Sequence, residues 1–232
     1  MALSRYAHAC HEAGHVIAAW HSARVVHVTL AKLGPSRGFV EYAVIPDFHD
    51  SPFSRWSHIV VMLAGIAGAF GRGHRVQARD CESDLSEARR LAAELALQCD
   101  VYQALPVETT SRTTITRMYA ETPGAPVGHV LEAAYLKARA LLACYRVEHF
   151  TVAVALYCLS ELRSAELREL LGPRRIGKIF EFRRGRVSIL AMICRLGRVV
   201  WRRVWQKSKH VTIFRRLNES TGRVVENVRK TP

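Results

Sequence analysis

Between Tyr6 and Trp20 the chain places His11-Glu12-Ala13-Gly14-His15 inside a stripe of helical period made by Ala7, Cys10, Ala13, Gly14, Val16, Ile17 and Ala18. Residues four apart lie on one face of a helix, so His11 and His15 can aim two imidazoles at one metal ion. Zinc suits two neutral imidazoles with an oxygen ligand and leaves a fourth position for water. Glu12, next to the first ligand, can reach that water as a general base, and zinc would lower the pKa of the water toward about 7. The plainer alternative is a helix that carries two core or exposed histidines with nothing between them. Cys10 adjoins His11 but points about 100° away on a helix, which makes it a packing residue.

The rest of the pattern is mostly helical. Ser4 is placed to cap the first helix. Val25–Leu30 and Phe39–Ile45 are strand-like, and the turn residues Gly34-Pro35-Ser36-Arg37-Gly38 join them into a hairpin. Further helices are expected over Phe53–Phe70, Asp84–Gln98 (capped by Ser83), Val127–Tyr145, Glu148–Leu162 and Ala165–Leu171 (capped by Ser164), with a short one near Thr113–Ala120. The expected fold class is mainly α: a helical domain with one β-hairpin as its minor component, followed by a basic C-terminal tail.

Charge draws the boundary between the two. The 232 residues carry a formal net charge of +14. Residues 173–232 hold 17 Lys+Arg against Glu181, Glu219 and Glu226, which is 17 − 3 = +14, so the first 172 residues balance to zero. Gly172-Pro173 suits a helix stop, and the expected units are 1–172 and 173–232. With 49% hydrophobic residues, the chain is too apolar for general disorder. The most apolar run, Ile59–Gly71, is shorter than the roughly 18 residues of a membrane span. Six cysteines are spread without a CxxC pair, and Met1–Trp20 does not read as an apolar leader. A cytoplasmic setting with free, mostly buried thiols is expected.

Residues 5–172 resemble, in one collinear order, the FtsH-type zinc metallopeptidase family, the proteolytic domain of membrane-anchored AAA proteases. Ala9-Cys10-His11-Glu12-Ala13-Gly14-His15-Val16-Ile17-Ala18 is similar to its HEAGH helix, and Val25–Tyr42 to the strand pair after it. Leu63-Ala64-Gly65-Ile66-Ala67-Gly68-Ala69-Phe70-Gly71 resembles its small-residue helix. Ser83-Asp84-Leu85-Ser86-Glu87-Ala88 resembles its (S/N)DL-x-x-A segment, and Tyr135–Arg139 and Glu161–Leu171 look like parts of its C-terminal helices. The resemblance implies a zinc metalloendopeptidase with Zn2+ held by His11, His15 and Asp84, Glu12 as catalytic base, and Phe39, Val40, Glu41 and Tyr42 on a strand edge that binds an extended polypeptide. Asp80 and Glu82 flank Asp84 and stay open as ligands on the residues alone. His8, one turn before His11, is read as a surface histidine that neighbours the site. His21, His27, His49, His58, His74, His129, His149 and His210 lack ligand spacing and are read as structural or exposed.

The sequence also departs from the family. No GxxxxGK[ST] occurs, so a substrate would be a loosely folded polypeptide or one delivered by an AAA ATPase in trans. Ala69 and Phe70 stand where the family usually has Glu. If such carboxylates orient an imidazole, their loss weakens metal affinity by roughly tenfold or more. The family's rings imply a homo-oligomer. The tail interleaves arginine with apolar and aromatic residues, as in Val199-Val200-Trp201-Arg202-Arg203-Val204-Trp205. It fits an anionic membrane surface, which would make the protein peripheral to the membrane, or a non-specific basic tail, and less well nucleic acid.

Overall fold

A computed structural model of the chain describes residues 4–22, 25–34, 38–44, 51–74, 81–98, 125–173 and 191–203. The elements are α1 (Arg5–His21), β1 (Val25–Leu33), β2 (Gly38–Val44), α2 (Pro52–Phe70), α3 (Glu82–Gln98), α4 (Ala125–Cys144), α5 (Arg146–Leu159), β3 (Glu161–Arg163) and α6 (Ser164–Leu171). A further helix, α7, covers residues 191–203. The protein is mainly helical with a small antiparallel sheet, as the periodicity predicts. The expected short helix near Thr113–Ala120 lies outside the described residues.

Local signals set the helix starts. The Ser4 hydroxyl accepts the Ala7 N–H at 3.2 Å, so it caps α1. Pro52 opens α2 at a position where its missing N–H costs nothing. At α6 the cap is the Glu166 carboxylate rather than the Ser164 hydroxyl: Arg163 N–H donates to Glu166 Oε2 at 2.8 Å.

The core is built around α1. Nearly every side chain from Ala7 to Trp20 is buried, because α2, α5 and the sheet all pack against that helix. α2 is in turn covered by α3 and α4. With 19 residues, α2 is longer than its apolar run alone and meets the length and composition of a membrane span, yet 67% of its most apolar window is buried inside the fold. The α1–α2 contact is unusually close at Gly14. A Cβ there would lie 2.8 Å from the Ala64 carbonyl carbon and nearer still to its oxygen, so only glycine lets the two backbones touch.

The sheet differs from a lone hairpin. α5 stops at Leu159 instead of running on to Leu162. Ser160 turns into the left-handed region (φ 64°), and Glu161–Arg163 pair with β1 as a third strand, with Leu30, Ala31 and Lys32 opposite Arg163, Leu162 and Glu161. The gain is tertiary: Leu162 becomes fully buried and Leu33 N–H finds Ser160 O at 2.7 Å. Strand order is β2-β1-β3, which leaves β2 as an edge among the described residues.

α7 lies inside the segment read as a basic tail, and it is docked. Met192 and Val199 are buried, Arg195 reaches Leu170 O at 3.2 Å, Arg202 pairs with Glu169 at 2.9 Å, and Arg203 pairs with Glu166. The thiols also differ from expectation: Cys10 and Cys81 are buried, but Cys144, Cys158 and Cys194 are exposed. All three sit on helix faces that no other described element covers.

Gly14→Ala tests the close helix contact. Alanine gains about 1 kcal/mol of helix propensity over glycine, but here it forces two backbones apart at a cost of about 2–4 kcal/mol. The expected result is a lower melting temperature, by roughly 3–8 °C. A rise in melting temperature would contradict the contact.

Candidate metal centre

His11, Glu12 and His15 sit in the middle of α1, each at most 6% exposed. His15 is oriented by α2: its Nδ1 lies 2.8 Å from Val61 O. A carbonyl only accepts, so His15 carries its proton on Nδ1 and turns a lone pair outward from Nε2. α3 brings Asp84. Its Oδ2 lies 2.9 Å from His11 Nε2 and 3.2 Å from His15 Nε2, and the two Nε2 atoms are 3.0 Å apart.

These three atoms form a near-equilateral triangle. Ligands on a tetrahedral zinc with bonds of 2.0–2.1 Å are separated by about 3.3 Å, so the triangle has the size of one face of such a polyhedron. Its chemistry points the same way. His15 Nε2 and Asp84 Oδ2 are both acceptors at 3.2 Å, a pair that a cation or a proton between them would relieve. His11, His15 and Asp84 are therefore a buried group that could hold a metal ion. Gly65 makes the convergence sterically allowed. A Cβ on it would lie 2.7 Å from His11 Nε2 and closer to His15 Nε2, in the space where the imidazoles meet.

Burial alone would lower the His15 pKa, but the Asp84 carboxylate beside it outweighs burial and lifts it to about 9. Burial likewise works to raise the Asp84 pKa, and the neighbouring imidazoles overcome it and hold the carboxyl well below the usual range. Glu12 goes the other way: desolvation raises its pKa despite the two histidines. A carboxylate so buried is a stronger base than one in water.

The triangle opens onto a cavity of about 590 Å³. Glu12 lines it, as do Phe39, Val40 and Tyr42 of β2. Glu41 does not. It lies opposite Val40 and Tyr42, in a separate surface pocket with His27 and Arg168, whereas Phe39, 44% exposed and on Glu41's side by the period of two, still lines the cavity. Of the acids around the third ligand position, Asp84 converges on the imidazoles, Glu82 is exposed on the cavity rim, and Asp80 lies outside the described residues. Gly38, at the start of β2, packs on Glu12 so closely that a Cβ would fall 2.6 Å from its carboxyl carbon.

Some participants escape a reading of side chains alone. His8, which the sequence places beside the site by its spacing of three from His11, is part of the cavity lining itself. The Val61 carbonyl carries no side-chain signal at all. His149 is buried against the back of α1, 2.8 Å from Cys10 O, and burial lowers its pKa to about 4. The orienting bond found at His15 is missing at His11, whose buried Nδ1 has no hydrogen-bond partner among the described residues.

Two measurements check this geometry. Gly65→Ala should reduce metal affinity, read by calorimetry, by roughly tenfold to a hundredfold while the helical circular-dichroism signal stays. The second concerns His149. The unfolded chain protonates this imidazole near 6.5 and the folded chain only near 4, so its stabilisation is complete above pH 6.5 and is lost as pH falls toward 4. That window is worth about 3 kcal/mol. His149→Gln keeps a donor for Cys10 O without titrating, so urea unfolding of the apo-protein should lose stability less steeply between pH 7 and pH 4.5 than wild type does.

No protein-family model matches the chain, and no curated protein matches it at a significant level. What the site can do follows from its own residues.

Proposed function

We propose that this protein is a zinc-dependent metalloendopeptidase of the FtsH type that hydrolyses unfolded or loosely folded polypeptides. The observation that carries the proposal is the triangle of His11 Nε2, His15 Nε2 and Asp84 Oδ2, at 2.9–3.2 Å, with the desolvated Glu12 carboxylate in the same cavity. Of the metals that accept two imidazoles and one carboxylate, zinc suits a compact site with a free position. A zinc ion there would supply Lewis-acid polarisation of the scissile carbonyl and make water acidic at neutral pH.

The chain's own residues do the rest. Glu12 removes a proton from water as the oxygen bonds to the carbonyl carbon. It then passes that proton to the amine nitrogen as the C–N bond breaks, so the carboxylate is regenerated. Gly38 and the cavity walls keep Glu12 out of bulk water, which raises its basicity. Strand β2, an edge among the described residues, lies beside the cavity, where an extended substrate can add as a further strand. That mode reads backbone first, and Phe39, Val40, Tyr42 and Met62 add an apolar preference. Broad specificity follows. With no nucleotide-binding loop in these residues, an AAA ATPase in trans would deliver folded substrates, the catalytic unit would assemble as a homo-oligomer, and the setting is cytoplasmic.

One observation favours a second reading. The orphaned Nδ1 of His11 marks a metal site with one unsupported ligand, as expected if Ala69 and Phe70 replace orienting carboxylates. A weak or inactive descendant would bind peptides or an AAA partner without cutting.

Cleavage of unfolded fluorescent casein separates the two. Wild type should cleave and lose activity in chelator. Glu12→Gln should keep its zinc and fall by a factor on the order of a hundred or more. Undiminished cleavage by Glu12→Gln would sink the assigned base. Zinc-replete wild type without cleavage would favour the binding protein.

A further inference from the structure

α7 is apolar on two faces. Met192 and Val199 face the domain and are 1% and 2% exposed, whereas Ile193 and Trp201 are 59% and 67% exposed. Ile193, Gly197 and Trp201 are spaced by four, so they lie in one strip along the outer side of the helix, about 12 Å long at 1.5 Å per residue. At 100° per residue, Cys194 joins that strip, and Arg198 and Arg202 border it on one flank. An ordinary surface helix turns its single apolar stripe inward and its polar side to water. Here the inward stripe is already satisfied, and a second apolar strip faces out.

The arginines are held in place for this. Arg198 and Arg202 share Glu169 at 3.4 Å and 2.9 Å, yet each side chain remains more than half exposed. Arg195 and Arg203 reach Leu170 O and Glu166, which ties the helix to α6. The outward strip is thus presented by a fixed helix. Glu166 and Glu169 neutralise only part of the basic charge, since the whole excess of +14 falls within residues 173–232.

We propose that the outer face of α7 docks on an anionic lipid bilayer, with Ile193 and Trp201 entering the headgroup–acyl boundary and Arg198 and Arg202 at the phosphates. Charge complementarity selects this occupant. A basic segment is drawn to acidic headgroups, and the strip gives it a means of insertion that a nucleic-acid backbone would not need. Tryptophan suits that boundary, with an apolar ring body and one N–H donor. The two arginines have stems long enough to lie along apolar surface with their guanidinium groups in the headgroup layer. The inference does not depend on the metal centre or on peptide hydrolysis.

The test uses the full chain and sedimentation with vesicles of phosphatidylcholine alone or with about a third phosphatidylglycerol. Wild type should bind the anionic vesicles only, and lipids brominated on the acyl chains should quench its tryptophan emission. Ile193→Ser with Trp201→Ser keeps every charge, alters two exposed side chains, and should weaken binding by roughly tenfold or more. Trp201→Phe should keep most of the binding while losing most of the bromine quenching. Equal binding by wild type and the double variant would overturn the proposal, because charge alone would then suffice. Complete displacement by a single-stranded oligonucleotide, with no quenching by brominated lipid, would overturn it in favour of a nucleic-acid surface. Absence of binding to either vesicle would overturn it outright.

Discussion

Everything at the centre of this protein depends on how closely α1 and α2 approach. Gly14 lets the α1 backbone rest on Ala64, and Gly65 leaves room for two imidazoles to meet above α2. At that separation the Val61 carbonyl reaches His15 and fixes its tautomer. α3, packed against α2, then brings Asp84 to within hydrogen-bond distance of both rings. A wider helix pair would leave the same residues present but unable to converge. Ligands on rigid, buried helices are held to small tolerances, which a site in a loop does not achieve.

Burial sets the chemistry of that cluster. Four titratable groups share a small volume, and removing any charged one from water is costly unless a partner compensates. His15 and Asp84 compensate one another, and their pKa values move apart as a result. Glu12 is left with the desolvation, so its affinity for a proton rises. Three metal-ligating atoms that could hold an ion thus lie beside a carboxylate that is poorly solvated. The asymmetry between its histidines is equally physical: one ring is anchored by a backbone carbonyl, and the other has a buried nitrogen with no partner among the described residues.

The sheet and α7 show how small elements redirect larger ones. Three residues, Glu161–Arg163, make β1 a central strand, with β2 beside the cavity as an edge among the described residues. Arginines within the basic segment settle on Glu166 and Glu169, and α6 thereby becomes the platform for α7. One acid serves twice, since Glu166 also caps its own helix.

Much of this was legible in the residue order. The helical period of α1, the i, i+4 spacing of His11 and His15, the Ser4 cap and the balanced charge of residues 1–172 are local or additive properties, and each follows from the sequence without knowledge of the fold. Asp84 was reached only through resemblance. On the residues alone Asp80, Glu82 and Asp84 were equivalent, because choosing among them requires the distance to a histidine 73 positions away. The third strand was invisible since three residues carry no period, and Glu161–Leu162 could equally continue a helix. The tautomer of His15, the unpartnered nitrogen of His11, the presence of His8 in the cavity and the outward strip of α7 were decided by tertiary structure. Each depends on what packs against a residue and what keeps water from it, and neither is encoded in the residue's own neighbours along the chain.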